Sequence, residues 1–124
     1  MILVDSSIWI DHLRSNDAVL ADLLNRGLIL SHPFVIGELA LGSLRQRSTI
    51  IAALRDLPMA TVANDAEVLE FIQRQPLHGR GIGYIDAHLL ASARLTPSTK
   101  LWTRDRRLQQ VASELALAAA LPSG

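Results

Sequence analysis

Residues 2–10 read Ile2-Leu3-Val4-Asp5-Ser6-Ser7-Ile8-Trp9-Ile10, and this stretch sets the fold class. Three consecutive apolar residues without alternation suit a short strand buried on both faces of a parallel sheet. Asp5-Ser6-Ser7 then supplies oxygens that can cap a helix, and Ile8-Trp9-Ile10 opens one expected to end near Arg14. A strand that turns directly into a helix is the first half of a βα unit. Asp5 therefore sits at the carboxyl end of a strand, where open α/β sheets place their ligands.

Outward from this start the same alternation recurs. Asn16-Asp17 opens a second helix through Asn25, closed by Gly27, and Leu28-Ile29-Leu30 is a second buried strand. Pro33 suits the first turn of a third helix running to Leu41 or Leu44. Thr49 to Leu57 is helical and stopped by Pro58; Met59 to Val62 is a weak strand candidate. Asp65 is expected to cap a helix from Ala66 to Gln75, and Gly79-Arg80-Gly81-Ile82-Gly83 leads into another from Tyr84 to Arg94. Lys100 to Thr103 reads as a strand, Asp105 to Glu114 as a helix, and Leu115 to Leu121 as a last strand. Short apolar strands alternating with helices predict an α/β domain with a parallel sheet. No repeat or linker-like stretch divides residues 1–124, so one domain is expected.

Composition narrows the function classes. Twelve Lys and Arg balance twelve Asp and Glu, so any nucleic-acid contact must come from a local basic patch. Such a neutral, apolar-rich chain is also prone to self-association. The absence of Cys excludes disulfides, thiolate metal sites and Cys nucleophiles. His12, His32, His78 and His88 lack zinc-motif spacing. The start Met1-Ile2-Leu3-Val4-Asp5 has no basic region before its apolar run, and no stretch approaches the roughly 20 apolar residues of a membrane span. A cytoplasmic, membrane-free location is the expectation.

Four acids stand where a core or a strand end would not ordinarily want them. Asp86 lies among Ile82, Ile85, Ala87, Leu89, Leu90, Ala91 and Ala93, and Glu38 lies within Phe34-Val35-Ile36-Gly37-Glu38-Leu39-Ala40-Leu41. Both helices look buried, and a buried unpaired carboxylate is costly. Asp5 and Asp105 follow strands. Taken singly, each acid has an ordinary role: Asp5 and Asp105 as helix caps, Glu38 and Asp86 as partners of an Arg. Taken together they are harder to dismiss, because each pair about 5 Å apart would repel by roughly 3 kcal/mol at an effective dielectric of 20. A divalent cation would convert that repulsion into attraction, and an all-oxygen donor set selects a hard one, Mg²⁺ or Mn²⁺.

Read with their surroundings, these positions resemble the PIN-domain ribonucleases, and within them the VapC-type toxins of type II toxin–antitoxin pairs. Val4-Asp5-Ser6-Ser7-Ile8-Trp9-Ile10-Asp11 is similar to the family's opening motif, and Glu38 to its second acid. Asp86 with His88-Leu89-Leu90-Ala91 resembles the third-acid helix. Leu101-Trp102-Thr103-Arg104-Asp105 resembles the closing strand and fourth acid. The likeness runs from Met1 to about Leu121. It implies a three-layer α/β/α fold with a central, mainly parallel sheet, and endonucleolytic RNA cleavage by metal-activated water. Metal would be held mainly by Asp5 and Asp86, with Glu38 and Asp105 completing the catalytic shell. A small antitoxin protein and a homodimer are the partners implied.

Around the acids, Ser6 and Thr103 are candidates to contact substrate or a metal-bound water, with local capping as the alternative. Arg80, in the glycine-rich loop, and Arg104 and Arg107, beside Asp105, are candidate phosphate contacts; a solvated helix face is their alternative. His88, two residues from Asp86, should point elsewhere, and Trp9 and Trp102 read as core or interface residues. Two rival functions remain. A receiver-like phosphoacceptor would need Asp56 at a strand end, yet Asp56 follows the helical pattern Ala52-Ala53-Leu54-Arg55. A non-catalytic binding module of the same fold differs only in fine placement.

Overall fold

The computed structural model describes residues 1–121; the last three residues of the expected 1–124 domain lie outside them. The strands are β1 (Ile2–Val4), β2 (Ile29–Leu30) and β3 (Lys100–Trp102). The helices are α1 (Ser6–Ser15), α2 (Ala18–Asn25), α3 (Pro33–Ala40), α4 (Arg47–Asp56), α5 (Asp65–Arg74), α6 (Tyr84–Leu95) and α7 (Arg106–Glu114). The sheet order is β2-β1-β3, all parallel, with Leu3 opposite both Leu30 and Leu101 and Val4 opposite Trp102. Leu3 and Val4 point to opposite faces of the sheet and both are fully buried. Both faces are therefore covered, which is the expected three-layer α/β arrangement.

Two expected strands shrink to single bridges that extend the sheet at its edges. Met59 pairs only with Ser31, and Ala118 only with Leu101. On one side, Pro58 cannot donate to a ladder, and Met59 and Val62 are exposed rather than packed. On the other, Leu115 to Leu121 is largely alanine, a weak strand former, and Ala116 turns the chain with φ +59°. The cap of α5 also moves by one residue. Asn64 accepts from the Glu67 amide at 2.8 Å while Glu67 accepts from the Asn64 amide at 2.9 Å. This reciprocal box satisfies two otherwise free helix donors.

His32 links the sheet to the helix that carries Glu38. It is fully buried at the N-cap of α3, where Nδ1 accepts from the Phe34 amide at 3.0 Å. Nε2 must then carry the proton and donate to Ser92 Oγ, 3.0 Å away on α6. Burial, reinforced by His88, lowers the His32 pKa from 6.5 to about 4. The unfolded chain therefore binds a proton that the native state refuses. The stability due to neutral His32 is whole above pH 6.5 and is lost as pH falls towards 4. The expected loss over that interval is about 3 kcal/mol. Urea unfolding of wild type and His32→Asn at pH 7 and pH 4.5 checks this: the variant should show a flatter acid slope. An unchanged slope would mean that another group sets it.

Candidate active site

Asp5 is the hub. It ends β1, caps α1, and is only 6% exposed. Its Oδ1 accepts from the Ser6 amide at 2.8 Å; its Oδ2 accepts from Ser7 Oγ at 2.9 Å and Thr103 Oγ1 at 2.7 Å. The parallel register makes this meeting inevitable. Val4 lies beside Trp102, and the Asp5 amide donates to the Trp102 carbonyl at 3.0 Å, so the residues just past β1 and β3 face each other. Ser6 Oγ lies 3.3 Å from Glu38 Oε1, tying α3 to the same corner.

Asp86 and Asp105 arrive from two further helix starts. Asp86, in the first turn of α6, is half-buried and accepts from the Gly83 amide at 3.0 Å. Asp105 caps α7 by accepting from the Leu108 amide at 3.0 Å, and its own amide donates to Thr103 Oγ1 at 3.1 Å. Three of the four acids thus stand at helix N-termini, where the positive end of the helix dipole favours negative charge.

The acids feel one another. Burial raises the Asp86 carboxyl above its ordinary value; the Gly83 amide opposes this, and the charges of Asp5 and Asp105 add to it. Burial also raises the Glu38 carboxyl, and the charges of Asp5 and Asp86 add to the rise against the Ser6 hydrogen bond. Glu38 is nevertheless exposed as a residue, which corrects the expectation of a buried acid. Because it keeps much of its surface in water, the neighbouring charges are the informative part of its rise. Among the described residues no three acidic or imidazole groups converge on one point. Glu38 leans on Ser6, Asp86 on Gly83 and Asp105 on Leu108. Charge links Glu38 to Asp5 and Asp86, and Asp86 to Asp5 and Asp105.

The chain matches the family model described as the PIN domain over residues 2–114, a span that contains all four acids. The chain belongs to the PIN-domain family. It is also similar to Ribonuclease VapC32 of Mycobacterium tuberculosis, from strains CDC 1551 / Oshkosh and ATCC 25618 / H37Rv. The identity to each is 47% over 120 residues, covering 97% of this chain and 97% of the relative.

Around the acids of this PIN domain the arginines are largely committed. Arg80 donates to Glu114 at 2.7 Å, and Arg104 reaches Asp11 at 2.6 Å and Asp17 at 2.8 Å. Arg107 is exposed and lies across Gly81. A Cβ on Gly81 would stand 2.6 Å from an Arg107 nitrogen, and the residue's φ of +80° disfavours a side chain in any case. Glycine there lets the loop pass beneath Arg107. His88 does point elsewhere: it is buried between the rings of Phe34 and Tyr84, at centroid distances of 4.5 and 4.7 Å. Its Nε2 is 3.4 Å from Asp65 but lacks the alignment of a hydrogen bond. Trp9 is core, and Trp102 is half-buried. Asp56 is the last residue of α4, not the end of a strand, which removes the basis for a receiver-like site.

Sequence reasoning passed over Ser7. Its hydroxyl donates to Asp5 and accepts from the Arg104 amide at 3.1 Å, so it joins α1 to the loop after β3. The available signal was the pair of consecutive hydroxyls directly after a strand-end acid.

Proposed function

We propose that this PIN domain is a metal-dependent endoribonuclease and the toxin of a type II toxin–antitoxin pair. The observation that carries the catalytic assignment is the placement of Asp5 and Asp105 just past neighbouring parallel strands and joined through Thr103, with Glu38 joined to Asp5 through Ser6. The similarity to a protein named a ribonuclease supplies the substrate class. The site's donors are carboxylate and hydroxyl oxygens, which fit a hard cation, Mg²⁺ or Mn²⁺. Asp5 and Asp86 would hold it, with Glu38 and Asp105 completing the shell directly or through water. When bound, such an ion lowers the pKa of a water and offsets charge on the scissile phosphate.

The chain's own groups supply the rest. Thr103 and Ser7 fix the rotamer of Asp5 through its Oδ2. Ser6, shared between Asp5 and Glu38, is placed to hydrogen-bond a water between them. Glu38 and Asp105, outside the pair that would hold the ion, are the candidates for the base that takes a water's proton, and Glu38 holds a proton more readily than an ordinary carboxylate. Arg107, exposed and lying across Gly81, is a candidate contact for an RNA phosphate, whereas Arg80 and Arg104 would first have to leave their carboxylates.

A small antitoxin would pack an apolar segment on the domain and bring an Arg or Lys to the acids, replacing the metal's charge and obstructing RNA. Self-association into a homodimer fits the zero net charge and the exposed apolar residues Leu41, Val62 and Leu69. Among the described residues no helix is long and apolar enough to cross a membrane, and a cytoplasmic site of action is proposed. The test is RNA cleavage by purified, partner-free protein. EDTA should abolish cleavage and added Mg²⁺ or Mn²⁺ should restore it. Full activity in excess EDTA would sink the metal mechanism, and no cleavage under any metal would favour the non-catalytic module.

A further inference from the structure

The guanidinium of Arg104 is held at two points by carboxylates from different elements. Nε lies 2.6 Å from Asp11 Oδ2 on α1, an ion pair, and a terminal nitrogen donates to Asp17 Oδ2 at the start of α2 at 2.8 Å. Asp17 is itself immobilised. Its Oδ1 accepts from the Val19 and Leu20 amides at 2.9 and 3.0 Å, and its amide donates to His12 Nδ1 at 2.9 Å. Asp17 Oδ2 is therefore a fixed anchor, and Arg104 is the tether between it and the loop after β3. The loop's other fastenings lead to the acids. The Arg104 amide donates to Ser7 Oγ, the Asp105 amide donates to Thr103 Oγ1, and both hydroxyls donate to Asp5 Oδ2.

We propose that Arg104 is a positioning residue for the acidic site. By clasping Asp11 and Asp17 it fixes the Thr103–Arg104–Asp105 loop, and through Thr103 it sets the carboxylate of Asp5. The inference rests on the nuclease reading above and deepens it. Local charge argues against the simpler role of a phosphate ligand. One guanidinium faces two carboxylates, so the cluster is net negative and repels a phosphate. The Arg104–Asp11 pair, with side chains 40% and 48% exposed, contributes little to folding, whereas Asp17, 17% exposed, is the firmer hold. What the cluster supplies is direction. A planar guanidinium can pair with one carboxylate while donating to another in a fixed relative direction, which a lysine ammonium does not reproduce.

Three measurements on wild type, Arg104→Lys, Arg104→Gln and Asp11→Asn test this. They are single-turnover RNA cleavage across a Mn²⁺ titration, RNA affinity in EDTA across a salt series, and melting with and without Mn²⁺. Residues outside the ligand shell that orient ligands typically matter by about 10- to 100-fold in activity or metal affinity. Each variant should accordingly lose about tenfold or more in rate at saturating RNA, and should need several-fold more Mn²⁺. RNA affinity and its salt slope should stay as in wild type, and the Mn²⁺-induced rise in melting temperature should shrink. Asp11→Asn leaves Arg104 in place and serves should either Arg104 variant fail to fold. Wild-type rates and metal response in Arg104→Lys or Asp11→Asn would overturn the proposal. So would weakened RNA binding with the salt slope reduced by about 1, the mark of a lost phosphate contact. A wild type that cleaves nothing would overturn the nuclease reading alone. The melting comparison would then still decide whether Arg104 sets the metal response.

Discussion

Asp86→Asn should remove RNA cleavage, by about 100-fold or more, while leaving the metal-free protein as stable as wild type or more so. Among the described residues the Asp86 side chain has one hydrogen-bonded partner, the Gly83 amide, and the Oδ1 of an asparagine can still accept from it. Its carboxyl is raised by burial and by the charges of Asp5 and Asp105. A folded pKa above the ordinary value means that stability is present when the group is protonated and is lost as pH rises through the folded pKa. At neutral pH the ionised Asp86 therefore works against folding, and the neutral amide does not. The gain should vanish in acid, where Asp86 is protonated in the wild type too. Divalent metal should reverse the order, because binding to the native state stabilises it by mass action and the variant has lost a ligand charge. Melting curves at pH 5 and pH 7.5, in EDTA and in Mg²⁺, beside one RNA assay, measure all of this. A variant that melts far earlier in EDTA yet still cleaves would show that Asp86 supports the fold and not the chemistry.

The acids were legible because their positions follow from local rules. Asp5 and Asp105 come directly after apolar strands, and parallel α/β sheets put ligands at that end. Asp86 stands out by its apolar neighbours. Glu38 was legible as a candidate but not in its environment. The apolar composition of α3 suggested burial all round, yet one edge opens on the site and leaves Glu38 exposed. The α5 cap lies at Asn64 rather than Asp65 because Asn64 and Glu67, three residues apart, close a reciprocal box. The arginines were not legible in the same way. Arg104 meets partners 93 and 87 positions away (Asp11 and Asp17), and Arg80 meets Glu114 across 34. No periodicity encodes such pairings, so a basic cluster beside an acidic site looks like a phosphate-binding patch until the fold assigns its charges. The two lost strands fail for a different reason. A bridge of one residue is enough to finish a parallel sheet edge: Thr61 and Val62 are exposed rather than packed, and Leu115 to Leu121 holds no β-branched residue.

Asp5→Ala should abolish cleavage just as fully but carry the opposite sign in stability. Unlike Asp86, Asp5 is an acceptor on which four donors converge: the Ser6 amide and the hydroxyls of Ser6, Ser7 and Thr103. Alanine removes a helix cap, typically worth about 1 kcal/mol. It also leaves the buried Thr103 hydroxyl and the half-buried Ser7 hydroxyl without their acceptor, at a cost of about 1–3 kcal/mol for each polar group that stays unsatisfied. Some of this is recovered if Ser7 and Thr103, already 3.5 Å apart, turn towards each other. The net loss should be about 3 kcal/mol, a fall in melting temperature on the order of 10 °C for a domain of this size. Asp5→Asn should lie between, since its amide oxygen can keep the Ser6 amide while its NH₂ faces two hydroxyls that were donors. Melting in EDTA separates the possibilities without any activity measurement. If Asp5→Ala were as stable as Asp86→Asn, the hydroxyl clasp would not hold the strand ends together. Inactivity in both, with melting temperatures displaced in opposite directions from wild type, would mean that the loss of cleavage in Asp86→Asn owes nothing to unfolding.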